Sequence, residues 1–559
     1  MKIAWSCFCH YKKAQGLRGD VWHLWRDTGR LWNYAVSLTS AKTPLLIFGH
    51  NIYFDLQSSD FFYYLTLWGW TLDFVYDKGL VYILIIRKGR KCIKCISTTN
   101  YFPEKLGVVG EALGFPKGEI DFDNCTEKEL VAYCKRDVSI IRKLMNNYLA
   151  FIDKHDLGKF HLAKGGQAFG SYRYRFMKTS IYPHQNKRVQ KLEQAAYMGG
   201  RTECNFLGKV KGNSFVGLDV NGLYPYVMKI NEFPTKLINY VEQPSLEHLS
   251  NSLKTFCVVA KVHLDTNETA YMKKHHFKAI FPLGRFQTYL CTEGLKYALK
   301  RNHIFAIEEM AVYQKVDLFS EYVDYFASLK EKYSKSKNWI MRHFAKDMLN
   351  SVYGKFAQRR EVLEAAYEID YKGYFREEVY DTIKQRNEVL TKMFNKVWFT
   401  YGSEPCPNSF VAISAHVTEY ARFYLYKLMK TVGINNVLYT DTDSLKIRTK
   451  HLPKLKKFID PYKLGMLKIE DRFKMFEIYG AKHYRTEKEL RIKGVPDSAE
   501  KIGKYKYKYT SFLKQASHLR AQVTRYSITQ PMIKVVEPFY DKGIVLKSGR
   551  IVPIRFNAF

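Results

Sequence analysis

Val437-Leu438-Tyr439-Thr440-Asp441-Thr442-Asp443-Ser444-Leu445-Lys446-Ile447 reads as two short apolar strands meeting at an acidic tip. Asp is common in turns, so the segment alone fits an ordinary hairpin equally well. A second stretch sharpens the choice. Phe215-Val216-Gly217-Leu218-Asp219 is an apolar strand that also ends in a carboxylate, and it runs on into Val220-Asn221-Gly222-Leu223-Tyr224-Pro225. Strands that deliver Asp side chains to one end of a sheet can hold two divalent cations about 3.5–4 Å apart. Such a pair lowers the pKa of an attacking hydroxyl and neutralises charge on a transferring phosphoryl group.

Between these strands, Asn338–Gln358 has helical periodicity. Arg342, Lys346, Asn350 and Tyr353 fall on one face, and Met341, Phe344, Met348 and Val352 on the opposite, buried face. A solvated charged surface accounts for the two cations. It does not account for Tyr353 on the same stripe with Gly354 beside it. Two cations suit a triphosphate, and a flat ring with a small neighbour suits a base or sugar.

The 559 residues are enough for several domains, and 89 Lys plus Arg against 54 Asp plus Glu leave a formal charge of +35. That balance points to a polyanionic partner, nucleic acid before an anionic membrane. A hydrophobic fraction of 46% and an aromatic fraction of 16% exclude a disordered basic tail. The best apolar runs, Leu80–Ile86 and Phe61–Trp70, fall short of the roughly 18 residues a membrane span needs. Met1–Cys9 leads directly into His10, Lys12 and Lys13, without the pattern of a secretory signal. The cysteines are scattered, and Cys92 with Cys95 is a lone CxxC, a weak zinc signal. The expectation is a soluble, intracellular, monomeric protein with no membrane association.

Leu45–Phe54 predicts a buried strand entering a loop at Gly49-His50-Asn51. Thr126 with Glu129 forms a capping box for a helix reaching about Ile152, whose apolar face carries Leu130, Tyr133, Ile140, Ile141, Leu144 and Tyr148. Residues 1–150 therefore read as an α/β domain, 151–195 as a connector and 196–559 as an α+β unit.

Taken together, the motifs match a known family. Asp219-Val220-Asn221-Gly222-Leu223-Tyr224-Pro225 resembles motif A of family B DNA polymerases. Lys346-Asp347-Met348-Leu349-Asn350-Ser351-Val352-Tyr353-Gly354 resembles motif B, and Tyr439-Thr440-Asp441-Thr442-Asp443-Ser444 resembles motif C. Lys482-His483-Tyr484 resembles the K-x-Y motif at the start of the thumb. Tyr197-Met198-Gly199-Gly200 is similar to the Y-x-G-G motif joining exonuclease and polymerase domains. The five occur in the family's order.

The resemblance is to the protein-primed subfamily of phages, linear plasmids and viruses, which starts from a terminal-protein hydroxyl and carries two insertions. Here 120 residues separate Pro225 from Lys346 and 84 separate Gly354 from Tyr439, room for insertions near 231–325 and 361–407. The implied fold is an α/β RNase H-like exonuclease domain, incomplete at its N-terminus, followed by an α+β right hand. Palm and fingers occupy 196–470 and the thumb 471–559.

The resemblance also implies roles. Asp219 and Asp443 bind two Mg²⁺ ions, for which Mn²⁺ can substitute, with Asp441 in support. Arg342 and Lys346 contact the dNTP triphosphate, Asn350 and Tyr353 line the nucleotide pocket, and Tyr224 excludes a 2′-hydroxyl. Tyr197, Gly199, Gly200, Lys482 and Tyr484 hold the DNA primer and template. Gly222 departs from the family's usual Ser, a lost hydroxyl that weakens a phosphate contact.

Asn51-Ile52-Tyr53-Phe54-Asp55 and Tyr133-Cys134-Lys135-Arg136-Asp137 resemble the second and third proofreading-exonuclease motifs, on Asn51, Asp55, Tyr133 and Asp137. Asp137 interrupts the apolar face of its helix, where an ionised carboxylate calls for a metal or cation, and a salt bridge to a nearby Lys or Arg is the alternative. The first motif, Asp-x-Glu, does not occur before Asn51, and Asp20 and Asp27 sit among charged residues. The strand Ile3–Tyr11 resembles the stretch immediately C-terminal to that motif. Two expectations stand: a true start upstream of Met1, or a real truncation. Either way proofreading is weak or absent.

Residues 451–559 hold 24 Lys or Arg against 10 Asp or Glu. Within them Lys504-Tyr505-Lys506-Tyr507-Lys508-Tyr509 predicts a strand with a lysine face and a tyrosine face. It reads either as a half-buried strand with a solvated face or as a thumb surface that tracks duplex phosphates. Against the polymerase reading stand two others: a nuclease working through Asp55 and Asp137, and a non-catalytic nucleic-acid binder. The intact set Asp219, Lys346, Asp441 and Asp443 disfavours both.

Overall fold

The structure, a computed structural model, describes residues 6–14, 17–122, 124–407, 409–496, 499–512 and 529–557. At its centre Val437–Asp441 and Ser444–Arg448 form the acidic hairpin, with Asp441 opposite Ser444. Phe215–Val220 pairs antiparallel with the second strand, which sets Asp219 opposite Ser444. Leu467–Phe473 covers its other side, with Lys468 opposite Asp219. Thr202–Cys204 completes a five-stranded sheet on the far side of Val437–Asp441. Phe215, Val216, Leu218 and Val220 are all buried. The helix Val411–Val432 is buried along most of its length. It is a core helix that buries polar side chains, Glu419 and Arg422 included, along with its apolar ones.

The stretches after motif A and after motif B each fold into a sheet. After motif A, Phe233–Glu242, Ile304–Val316, Cys257–Thr266 and Leu283–Cys291 lie side by side in one sheet. Its last strand, Arg555–Phe556, comes from the other end of the chain and pairs parallel with Leu283–Cys291. After motif B, Arg359–Glu368, Lys396–Pro405, Arg386–Met393 and Tyr374–Asp381 form a four-stranded sheet in that order. This second sheet folds back onto the N-terminal region. Met393 and Phe394 belong to one apolar cluster with Leu31, Trp32, Ile52 and Tyr53, and Arg376 reaches Asp77 at 2.6 Å.

In the N-terminal region Leu45–Gly49 runs parallel to Lys91–Ser97, and Val81–Lys88 and Thr71–Lys78 extend the sheet antiparallel. Leu45–Gly49 is an edge strand, so the expected full burial is not met: Leu46 is 38% exposed. Beyond Gly49 a short turn leads into the helix Ile52–Ser58 in place of a longer loop. Ser6–Ala14 and Leu17–Trp25 form a separate hairpin. Residues 1–5, which include the start of the expected Ile3–Tyr11 strand, lie outside the described residues. The capped helix is Glu127–Lys154, and both bonds of its Thr126/Glu129 box are present.

Lys506–Phe512 pairs with Thr529–Val535. Lys504, Lys506 and Lys508 are exposed, Tyr507 is buried and Tyr505 and Tyr509 are half-buried. Cys92 and Cys95 are both buried in one strand. No group of three or more His, Cys, Asp or Glu suited to an ion occurs among the described residues. Among those residues no helix is long and apolar enough to cross a membrane.

Candidate active site

Asp219 is the penultimate residue of its strand, and Asp443 follows Thr442, whose φ of 62° makes the tight turn. The Val220 N–H donates to the Asp443 carbonyl at 2.8 Å, locking the two strand ends together. The carboxylates therefore share one half-buried space. Burial, and then the charge of Asp219, pushes Asp443 up to about 6. Asp219 is raised as well, by burial first and Glu470 second, while Lys468 at 3.4 Å opposes the shift. Both lose solvation on folding and each disfavours ionisation of the other.

Asp441 is placed differently. It accepts from Lys482 Nζ at 2.7 and 2.9 Å and from the hydroxyls of Thr202 at 2.9 Å and Thr442 at 3.2 Å. Thus the three carboxylates divide into a repelling pair and one neutralised member. All the donors in the pair are oxygens, which suits hard divalent ions.

The helix Trp339–Lys355 begins at Asn338, whose side chain accepts from the Met341 N–H at 3.1 Å. Ile340, Phe344, Ala345, Met348, Leu349 and Val352 are buried, whereas Lys346 and Asn350 are exposed and Arg342 and Tyr353 half-buried. Tyr353 stacks on Tyr224 with centroids 5.0 Å apart and planes 14° from parallel. A Cβ on Gly200 would lie 2.8 Å from Thr442 Cγ2 and 3.1 Å from the Tyr224 hydroxyl. The Y-x-G-G loop, the acidic turn and the stacked tyrosines therefore converge on one place.

Two cations at this place were not foreseen. Lys330, on the helix Ser320–Lys335, has its pKa lowered by burial first and then by Arg342, Lys346 and Lys468. Lys468 lies across the strand pair from Asp219. Lys330 stands between Leu329 and Glu331 and reads locally as an ordinary solvated charge. Only the packing of two helices brings it to the others.

Other expected residues lie less directly. Tyr484 is 6% exposed, gives its hydroxyl to Glu489 at 2.9 Å and packs on Tyr439. It reaches the turn through that ring, while Lys482 reaches it directly. Gly222 has φ 58°, and a Cβ there would meet Leu464 at 2.9 Å. A Ser in this backbone would be strained and crowded.

In the N-terminal region Asp55 is exposed as a residue, yet desolvation of its carboxyl by the atoms packed around it, and then Asp137, push it up to about 7. Asp137 is paired with Lys117 at 2.8 Å, the salt bridge its place on the helix allowed. Lys117 also lies over the Tyr133 ring, 4.9 Å from its centroid. Asn51, with φ 64°, donates its N–H to Ser97 at 3.1 Å. Asp20 instead pairs with Arg142, and Asp27 caps the helix Thr28–Ser37.

Solved structures share this architecture. Phi29 DNA polymerase complexed with primer-template DNA and incoming nucleotide substrates superposes with a TM-score of 0.68 at 15% identity, over 95% of this chain and 99% of that one. The orthorhombic crystal form of phi29 DNA polymerase gives 0.63 at 17% identity, over 88% and 90%. The fold is that of an exonuclease-like region joined to a right-hand polymerase. Residues 108–434 match the model of DNA polymerase type B, organellar and viral, and the chain belongs to that family. A probable DNA polymerase of Neurospora intermedia is 25% identical over 385 residues, 64% of this chain and 37% of that protein. The DNA polymerase of Bacillus phage M2 is 24% identical over 436 residues, 73% of this chain and 70% of that protein. The chain spans 37%, 32% and 39% of the length of the first three curated relatives it matches.

The repelling pair makes a prediction about stability. An Asp whose folded pKa is raised destabilises the fold as pH rises through its unfolded value and beyond. Asp443→Asn is expected to stabilise the metal-free protein at pH 8 by about 1–2 kcal/mol after discounting for solvent screening. It is also expected to abolish the rise in melting temperature that Mg²⁺ gives the parent. Thermal melts with EDTA and with Mg²⁺ test both, and a destabilised variant that keeps its Mg²⁺ shift contradicts the reading.

Proposed function

We propose that this chain is a template-directed DNA polymerase that adds deoxynucleotides to a 3′-hydroxyl with two Mg²⁺ ions. The observation that carries the reading is the half-buried pair Asp219 and Asp443 facing a cluster of Lys330, Arg342 and Lys346. Carboxylates so placed would hold the ions, which when bound acidify the primer hydroxyl and neutralise the transferring phosphoryl group. The three cations bind and orient the triphosphate. Asn350 and the Tyr224–Tyr353 stack line the nucleotide pocket, where Tyr224 blocks a 2′-hydroxyl. Asp441 stays outside the metal pair and holds Lys482 close to the primer end.

Further roles accompany the same assignment. Palm and fingers occupy 196–470 and the thumb 471–559, and the lysine face at Lys504, Lys506 and Lys508 tracks duplex phosphates. Tyr197, Gly199 and Gly200 contact the DNA. The two folded insertions support initiation from a terminal-protein hydroxyl, on a viral or plasmid-like genome. In the N-terminal region Lys117 occupies Asp137, and a carboxylate already paired in this way supports weak proofreading.

Primer extension with Mg²⁺ and dNTPs, wild type against Asp443→Asn, tests the central reading. Extension by the wild type and at least a 1,000-fold loss in the variant, with DNA binding retained, is expected. Equal extension by both proteins contradicts it. Gly200 gives a geometric test: Gly200→Ala must displace Thr442 or Tyr224, whereas a Cβ on Gly199 meets nothing within 4 Å. The expected loss of extension is tenfold or more for Gly200→Ala and under twofold for Gly199→Ala. On single-stranded DNA, 3′–5′ degradation is expected to be near background, and robust Asp55-dependent degradation would reverse the proofreading assignment.

A further inference from the structure

The helix Val411–Val432 carries Glu419 and Arg422 one turn apart, exposed by only 1% and 5%. Arg422 Nη2 lies 3.7 Å from the Glu419 carboxylate. Glu419 Oε1 accepts from the backbone N–H groups of Cys291 and Gly294, both at 2.9 Å. Those groups open the helix Thr292–Lys300, which lies within the first insertion. The approach is close, since a Cβ on Gly294 would sit 2.9 Å from the same oxygen. On its other side Arg422 Nη1 donates to the carbonyl oxygens of Met198 and Gly199, each at 3.0 Å.

These two carbonyls are the middle of the Y-x-G-G loop. Besides the Tyr197 N–H, which donates to the Glu193 carbonyl at 2.9 Å, ties from this segment run to the insertion and to the acidic turn. Met198 packs with Met272 and Phe281. The next residue, Arg201, is buried, donates to the Thr269 carbonyl at 2.8 Å and lies 3.8 Å from the Phe281 ring centroid. The Arg201 carbonyl accepts the Thr442 N–H at 2.7 Å. A buried guanidinium is costly unless paired and hydrogen-bonded; here the Glu419 carboxylate supplies the opposite charge and two loop carbonyls accept from Nη1.

We propose that Arg422 is a positioning residue that holds the Tyr197–Gly200 loop against the acidic turn. Glu419 makes that position depend on the first insertion. The insertion, the buried ion pair and the loop then act as one relay that sets the grip on DNA and leaves the chemical step alone. The inference rests on the reading of Tyr197–Gly200 as a DNA contact.

Arg422→Lys keeps a charge for Glu419, but an ammonium lacks the planar fork that spans two carbonyls. The expected result is a rise of about tenfold in the Kd for primer-template. The extension rate at saturating DNA and the KM for dNTP are expected to stay within threefold, and the melting temperature within about 3 °C. Tyr197→Ala is measured alongside. If it leaves DNA binding unchanged, the loop reading fails and takes the relay with it. If Tyr197→Ala weakens binding while Arg422→Lys does not, the relay alone is overturned. In the double variant the two effects are expected to be strongly sub-additive, and full additivity overturns the relay. Should Arg422→Lys fail to fold, Glu419→Gln keeps an acceptor for Cys291 and Gly294 and is expected to shift Kd in the same direction. Losses in Kd, rate and melting temperature that move together in that variant would mean a merely structural pair.

Discussion

Two carboxylates held in one half-buried space repel each other, and most of the structure exists to keep them there. Asp219 sits opposite Ser444 in the strand register, and Asp443 is fixed by its carbonyl bond from Val220. Nothing in the pairing of the side chains favours the arrangement. It is maintained by the apolar strands behind it, Phe215–Val220 against Ser444–Arg448 and Leu467–Phe473, and by the buried helix Val411–Val432. A fold that spends stability to hold like charges together is poised to bind opposite ones.

The helices facing the pair pose the mirror problem. The charging of Lys330 is depressed by its burial first and then by Arg342 and Lys346 beside it. Anionic and cationic clusters stand close without collapsing into ion pairs, apart from Lys468 with Asp219. Asp441 shows what collapse looks like: Lys482 and two hydroxyls occupy it. The contrast separates a carboxylate pair that shares one salt bridge, from Lys468 to Asp219, from a carboxylate that is fully engaged.

Local patterning made the acidic hairpin, the Asp219 strand, the helix Trp339–Lys355 and the capped helix Glu127–Lys154 legible, because each carries a period or a cap in its own sequence. Convergence was less legible. Lys330 and Lys117 look like surface lysines until packing brings them to Arg342 and Asp137. Tyr484 reads as a site residue by its motif, yet its ring lies in the core. The edge position of Leu45–Gly49 is a property of the sheet, and no pattern within five residues reports which neighbours a strand has. At Gly222 the room for a Cβ is taken by Leu464, a residue far along the chain.

The N-terminal region matters to the polymerase half whether or not it cuts DNA. Phe344 on the helix Trp339–Lys355 packs against Phe102, Tyr148 and Phe151, with ring centroids 5.0, 4.7 and 5.3 Å away. His155, just beyond the helix Glu127–Lys154, bridges the hydroxyls of Tyr325 and Tyr333 at 2.9 and 3.0 Å on the helix that carries Lys330. Both helices that present cations are thus braced from behind by the N-terminal region. Aromatic packing of this extent is worth several kcal/mol. Removing it would loosen the geometry of Lys330, Arg342 and Lys346 before it unfolded the sheet beneath. The bracing of the cationic cluster is therefore a structural role for the region that does not depend on any catalysis of its own.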